Sequence, residues 1–473
     1  MSAPFVSGPP LRRPGPGRSC ASLRRAGPTR GEHRHRKPSP PGQAPSRSAK
    51  AASCPPGRGD PVVGGGASYG RVGRLPVRVG PAPSGRTYCR AHPVNDDAGG
   101  QFVKTRGAVV KQAPGKYEVV DLEVEDPRQN ELQVTMTASG LCHSDDHIAT
   151  GDIPVGVYPF CGGHEGSGVV SAVGPNTVGF KEGDHVVFSF LPACGHCTWC
   201  ARGMSNLCDL GAGLLAGSRW EDPTSYRLSM DGQPVGQMCG ISTFSQVTTV
   251  AVDSAVKIPD DIPLEKACLV GCGVGTGWGS AVNSAEVAPG DTVIVMGIGG
   301  IGINAVQGAA MAGASNVIAV DPVAFKREKA QELGATHAVE SMEEATELAK
   351  SFTNGQGADS AIVTVGVTKG EHLGQAMASI RKAGTVVVTG LGDMTEVGAP
   401  VSLADITLFQ KRIQGSLFGA SNPKTDILKM LRLYTDGKLK LDELVTRTYT
   451  LDEIAQGYED MHAGKNLRGV VVY

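Results

Sequence analysis

The stretch DTVIVMGIGGIGINAVQGAAMAGASNVIAVD, residues 291–321, limits the possible folds more than any other. Its β-branched run Val293–Val295 reads as a buried parallel strand. Gly297-x-Gly299-x-x-Gly302 follows, then a small-residue helical stretch to Ala312 and a second apolar strand ending at Asp321. Gly297 permits a tight turn, Gly299 lets the backbone approach a pyrophosphate, and Gly302 lets the helix lie close to the strand. The amides opening the helix then face the phosphates. Such glycine spacing alone means little in a chain with 65 glycines. Here it lies between strand and helix, with an acid 19 residues after the last glycine, at the end of the next strand. A merely close-packed turn has no need of that acid. Asp321 can accept hydrogen bonds from an adenosine ribose and would repel a 2′-phosphate, which predicts NAD over NADP. Gly300 and Lys326 are grouped with the cofactor-binding residues. Apolar runs at Ala361–Val365 and Thr385–Thr389, separated by a helical stretch around His372–Arg381, continue the βα rhythm of a doubly wound α/β sheet. The cofactor domain is placed at 274–417.

Residues 194–208, CGHCTWCARGMSNLC, offer four thiolates in one loop, Cys194, Cys197, Cys200 and Cys208. Four sulfurs can close a tetrahedral shell around zinc and leave no open position, which makes this a structural site. The long last gap and the lack of a following proline favour zinc over an iron–sulfur cluster, and chance clustering of ordinary buried thiols explains the spacing poorly. A second metal, with an open position for chemistry, needs about three protein ligands. Cys142 in GLCHSDDH, His164 in GGHEGSG and Cys272 in GCGVGTG are candidates. By residue type His143, Asp145, Asp146 and His147 also qualify beside Cys142, and spacing does not separate Cys272 from Cys268. Cys161, Cys239 and Cys268 read as small core residues.

The net charge of −1 hides an asymmetry. Residues 1–100 hold 17 Lys and Arg against 4 Asp and Glu, and 17 of the 31 prolines, whereas the remainder has 28 against 42. A segment so poor in apolar runs cannot offset the entropy of ordering, so residues 1–102 are expected to be a disordered basic tail. Its arginines are not interleaved with aromatics, as a nucleic-acid arm would have them, and its prolines oppose the amphipathic helix of a transit peptide. The bias matches translated G+C-rich upstream sequence, and the expectation is a start near Val103. Neither an 18-residue apolar run nor a signal peptide is present. Clustered cysteines in so long a chain point to metal and not to disulfides.

Taken together, GLCHSDDH, CGGHEGSGVV, the four-cysteine loop, TFSQVTTV, CLVGCGVGTGWGSAV, GIGGIG with VDP, and KNLRGVVV resemble the zinc-dependent alcohol dehydrogenases of the medium-chain superfamily. Residues 103–473 look most like the actinobacterial branch of nicotinoprotein, or NDMA-dependent, alcohol dehydrogenases. The resemblance implies a Rossmann sheet inserted in a GroES-like, mainly β catalytic domain, with 103–273 before it and 418–473 returning after it. It implies Cys142, His164 and Cys272 as catalytic zinc ligands and the four-cysteine loop as the structural zinc site. Glu165 matches an acid that can approach the metal, and Asp145 a partner of the ligand histidine. Ser144 and His147 match the ends of a proton relay, with His147 facing solvent. His143 and Arg468 match cations that hold the pyrophosphate, and Phe190 a wall of the substrate pocket. Asp146 is given no role.

The implied function is reversible oxidation of primary alcohols to aldehydes, with two zinc ions per subunit and NAD. Alternatives are a formaldehyde dehydrogenase dependent on mycothiol or glutathione, and an alcohol:acceptor oxidoreductase whose NAD never leaves. The expected partner is a small alcohol or aldehyde, with neither nucleic acid nor membrane. A cytoplasmic homodimer is expected, because the long loop after Cys208 suits dimeric members better than tetrameric ones. A metal store or a basic-tail RNA binder finds no support in 103–473.

Overall fold

Six parallel strands form the sheet announced by the glycine turn, in the order His337–Val339, Asn316–Val320, Thr292–Met296, Ala358–Val363, Ile380–Val388, Arg412–Gly415. The order reverses beside the Thr292 strand, which opens a crevice at the carboxyl ends of the strands. In this computed structural model the described residues are 102–392, 394 and 397–473, all within the unit His92–Tyr473. The basic stretch read as a tail lies outside the described residues up to 101.

Side chains explain where the local boundaries fall. The strand expected at Ala361–Val365 runs Ala358–Val363 instead. Gly357, at φ +96°, turns the chain into it early, and Thr364 ends it by donating its hydroxyl to the Gly297 carbonyl at 2.6 Å. The helix Gly302–Ala312 closes on Gly313 at φ +94°, the left-handed cap that glycine adopts without penalty.

The remaining strands build a mainly β region. Phe102–Val110, Glu118–Glu125, Leu228–Met230, Gln233–Gln237 and Phe160–Cys161 close a barrel. A seven-stranded sheet centres on Glu131–Gly140, which pairs with Gly166–Val173, Val247–Ala251 and the late strand Arg468–Val472. Val445–Tyr449 lies parallel beside that late strand. Chain from beyond residue 440 therefore completes a sheet begun near residue 131. Cys161, Cys239 and Cys268 sit in the core, and burial pushes the thiols of Cys161 and Cys239 up to about 12. Among the described residues no helix is long and apolar enough to cross a membrane.

Candidate active site

GLCHSDDH straddles the end of the Glu131–Gly140 strand and the helix His143–Thr150, with Cys142 as the helix N-cap. Cys142, His164, Glu165 and Cys272 bring one ligand atom each to within 4.8 Å of one another, although they are spread over 130 residues of chain. Neither His143, Asp145, Asp146 nor His147 joins this group, and nor does Cys268. His164 is buried with Nδ1 3.1 Å from Asp145 Oδ2. The other carboxylate oxygen of Asp145 accepts the Gly163 amide at 2.7 Å, so the acid is fixed from both sides. A histidine whose Nδ1 is held by a carboxylate presents Nε2 in a set orientation, as metal-binding imidazoles require. The Cys272 thiol and His164 hold the Cys142 thiol well below its ordinary range against the opposing effect of burial, while Cys272 is pushed up by the same contact.

Glu165 is fully buried. It accepts the Gly273 amide at 3.0 Å through Oε1 and the Arg468 guanidinium through Oε2. Arg468 also donates to the Leu141 carbonyl at 3.2 Å. Its stem lies under the nucleotide turn, where a Cβ on Gly300 would meet Arg468 Cδ at 2.6 Å. One arginine thus joins the ligand cluster to the glycine turn.

Within that turn the three glycines meet different surroundings. A Cβ on Gly297, at φ +91°, would press on the backbone of Val365 at 2.9 Å, and one on Gly302 would strike the Gly297 carbonyl. A Cβ on Gly299 would meet no protein atom within 4 Å. Asp321 accepts the Ile298 amide at 2.8 Å and the Val323 amide at 2.9 Å, and Lys326 Nζ lies 3.9 Å from it.

The four-cysteine loop gathers its sulfurs within 4.8 Å of one another. Backbone amides of Cys197 and Cys194 point at the sulfurs of Cys194 and Cys208, at 3.3 and 3.4 Å. Amide donors, first that of Cys200, lower the Cys197 thiol to about 6, whereas burial raises Cys208 to about 12.

Other predicted residues surround the cluster. Ser144 Oγ lies 3.8 Å from Cys142 Sγ. Phe190 packs edge-on against His164, with ring centroids 5.8 Å apart. His143 is exposed on its helix, its ring 6.4 Å from that of His147. His147 is only 4% exposed, so it does not face solvent as expected. Three contributors escape the sequence. Phe418 stacks edge-on against Phe190 at 5.5 Å, His462 pairs with Asp146 at 2.7 Å, and Asp152 bonds His147 at 2.9 Å. Phe418 and His462 are remote in sequence and carried by no motif.

Two zinc-compatible donor sets, a dinucleotide turn and one arginine between turn and pocket define a metal- and nucleotide-using oxidoreductase. The chain matches the family described as alcohol dehydrogenase GroES-like domain over residues 128–260 and zinc-binding dehydrogenase over 300–436. It is 51% identical over 371 residues to the NDMA-dependent alcohol dehydrogenase of Amycolatopsis methanolica, covering 78% of this chain and 99% of that relative. Putative alcohol dehydrogenase D of Mycobacterium tuberculosis is 49% identical, covering 78% of this chain and all of that relative. The crystal structure of benzyl alcohol dehydrogenase from Acinetobacter calcoaceticus superposes with a TM-score of 0.72 at 32% identity, over 78% of this chain and 99% of the other. The chain belongs to the zinc-dependent, medium-chain alcohol dehydrogenase family, with its GroES-like and Rossmann-like parts.

Proposed function

We propose that this protein oxidises primary alcohols to aldehydes, reversibly, with NAD and two zinc ions per subunit. The observation that carries the reading is Arg468, which contacts both the ligand-cluster acid Glu165 and the Gly300 turn. On this reading 103–273 with 418–473 supplies the metal chemistry and 274–417 the cofactor cradle.

The residues fit the groups assigned to them. Cys142, His164 and Cys272 make a soft, three-donor set with an oriented imidazole, suited to a zinc that keeps an open position. Cys194, Cys197, Cys200 and Cys208 would hold the second zinc. Gly299, where a Cβ meets no protein atom, leaves the turn open to a pyrophosphate. When bound, zinc lowers the pKa of an oxygen it holds to about 7, and nicotinamide accepts the hydride.

The chain's own side chains do the rest. Asp145 fixes the His164 ring. Glu165, neutralised by Arg468, sits beside the metal ligands without leaving a bare buried charge. Arg468 places positive charge where the pyrophosphate would lie, while His143, whose imidazole desolvation holds below its ordinary range, can serve there as a neutral hydrogen-bond donor. Asp321 with Lys326 marks the ribose end. Ser144 Oγ is the hydroxyl beside Cys142 that can take the substrate's proton, and His147 is the base further out. Phe190, edge-on to His164 and backed by the buried Phe418, supplies an aromatic wall beside the ligand cluster, suiting an apolar alcohol.

Resemblance to the NDMA-dependent enzyme supports a variant in which NAD stays in place and a second aldehyde or electron acceptor recycles it. The exposed edge strand Arg412–Gly415, with Leu403, Leu408 and Leu417 exposed beside it, supports a homodimer that covers this edge. The compartment proposed is the cytoplasm.

Metal analysis and mass spectrometry of the purified protein, followed by benzyl alcohol oxidation, test the reading. Two zinc per subunit and aldehyde formation are expected. Formaldehyde oxidation that needs glutathione or mycothiol would replace it with the thiol-dependent reaction. One nicotinamide released on denaturation, with no stimulation by added NAD, would select the variant with resident cofactor.

A further inference from the structure

His147 cannot reach water by itself. Its ring is 4% exposed, with Nε2 3.4 Å from the Gly366 carbonyl and Nδ1 2.9 Å from Asp152 Oδ2. The turn that ends the His143–Thr150 helix brings Asp152 back onto the ring. Gly151, at φ +94°, and Ile153 both return their amides to the His147 carbonyl, at 3.1 and 3.0 Å. Thr150 Oγ1 donates to the same Asp152 oxygen at 2.9 Å, which fixes the carboxylate. That carboxylate side chain is 46% exposed. It therefore connects a buried imidazole to solvent.

We propose that Asp152 is a positioning residue for alcohol oxidation: it holds one proton of His147 on Nδ1, so that Nε2 is the ring nitrogen left to receive the second. The inference rests on the assignment of His147 as a relay base. With Asp152 on Nδ1, a proton arriving at Nε2 yields an imidazolium already bonded to an anion, which is the arrangement that makes a buried imidazole a competent base. The groups around the ring fit this account. His143 lies on the same helix, Asp146 is engaged by His462 from the helix Ile454–His462, and the loop after Ala358–Val363 contributes the Gly366 carbonyl, an acceptor 3.4 Å from Nε2 that bonds the proton once it arrives there. Asp152 itself is held below the ordinary carboxylate range, first by the bond from His147 and then by Thr150. Sequence offers a weak signal for it, an acid just past the glycine that caps a helix.

The test compares Asp152→Asn, Asp152→Ala, Asp152→Glu and His147→Gln in the zinc- and NAD-loaded protein. Single-turnover oxidation of benzyl alcohol is followed at pH 6–9, and imidazole nitrogen NMR reports the protonated ring atom. Asp152→Asn should slow oxidation about tenfold near pH 6–7, less than the roughly 10²–10⁴-fold of a whole general base because His147 itself remains, with zinc content and KM for the alcohol unchanged. Asp152→Glu should keep most of the rate, sodium formate should restore Asp152→Ala, and the Nδ1–H signal should be lost in Asp152→Ala and return with formate. Wild-type rates in Asp152→Asn alongside a slow His147→Gln would overturn the role of Asp152 while leaving the relay intact. Wild-type rates in His147→Gln would overturn the relay, and this inference with it.

Discussion

Arg468 and Glu165 form a buried ion pair across 303 residues of sequence, with the arginine stem lying against Gly300 of the nucleotide turn. Both side chains are nearly inaccessible, Arg468 at 4% and Glu165 at 0%. Removing one partner of such a pair strands the other charge. Arg468→Met should cost about 3–5 kcal/mol, read by urea unfolding, and should weaken NAD retention. Loss of cofactor with unchanged stability would mean that Glu165 finds another partner.

Asp321 holds two backbone amides as well as facing the ribose end of the proposed cofactor site. Asp321→Ser should raise activity with NADP relative to NAD. It should also destabilise the fold by about 1–3 kcal/mol, because a buried amide loses its acceptor. A variant with unchanged cofactor preference would remove Asp321 from the ribose.

The βα rhythm, the glycine turn and the four-cysteine loop were legible because each is written in consecutive residues or in tight spacing. Cys272 was separable from Cys268 only by resemblance, since the two lie four residues apart and folding alone brings one of them to His164. The burial of His147 was not legible. It depends on Gly366, 219 residues away, and on a helix cap that returns Asp152 to the ring. Asp146 found its partner in His462, 316 residues later, a pairing that no local pattern encodes.

Cys197→Ser should remove one of the two proposed zinc ions per subunit, read by metal analysis. The pocket cluster, which shares no ligand with the loop, should stay filled. Loss of both metals would show that the two sites assemble as one.

Lys424 donates to the carbonyls of Val252 and Ala255 at 2.8 and 2.6 Å, and burial pushes its ammonium down from 10.5 to about 8, with Asp253 opposing. The folded chain therefore binds this proton more weakly than the unfolded chain. Above the unfolded value both forms are neutral and the group carries no penalty. As pH falls from 10.5 to about 8 the unfolded chain protonates first and stability declines, and below about 8 the penalty is constant. In thermal unfolding, the Tm of Lys424→Met relative to wild type should rise as pH falls through this window and stay flat below it. A pH-independent difference would contradict the assignment.

The edge strand Arg412–Gly415 is exposed along its length, and Ile413 presents 41% of its surface. Ile413→Lys, a charge of the kind that protects sheet edges, should convert a dimer to a monomer in size-exclusion chromatography with light scattering. An unchanged mass would place any subunit contact elsewhere.

The two cysteine-bearing clusters differ in how far the chain must travel to make them. One draws every ligand from residues 194–208, while the other waits for Cys142, His164 and Cys272 to be assembled by the finished fold. Short loops close with less entropy than long ones, so the loop can capture its metal while the rest of the chain is still being organised. Under zinc scarcity the protein would therefore be filled in a fixed order, accumulating first as folded molecules with a closed loop and an empty, silent pocket. Activity would then report metal supply more sensitively than protein abundance does.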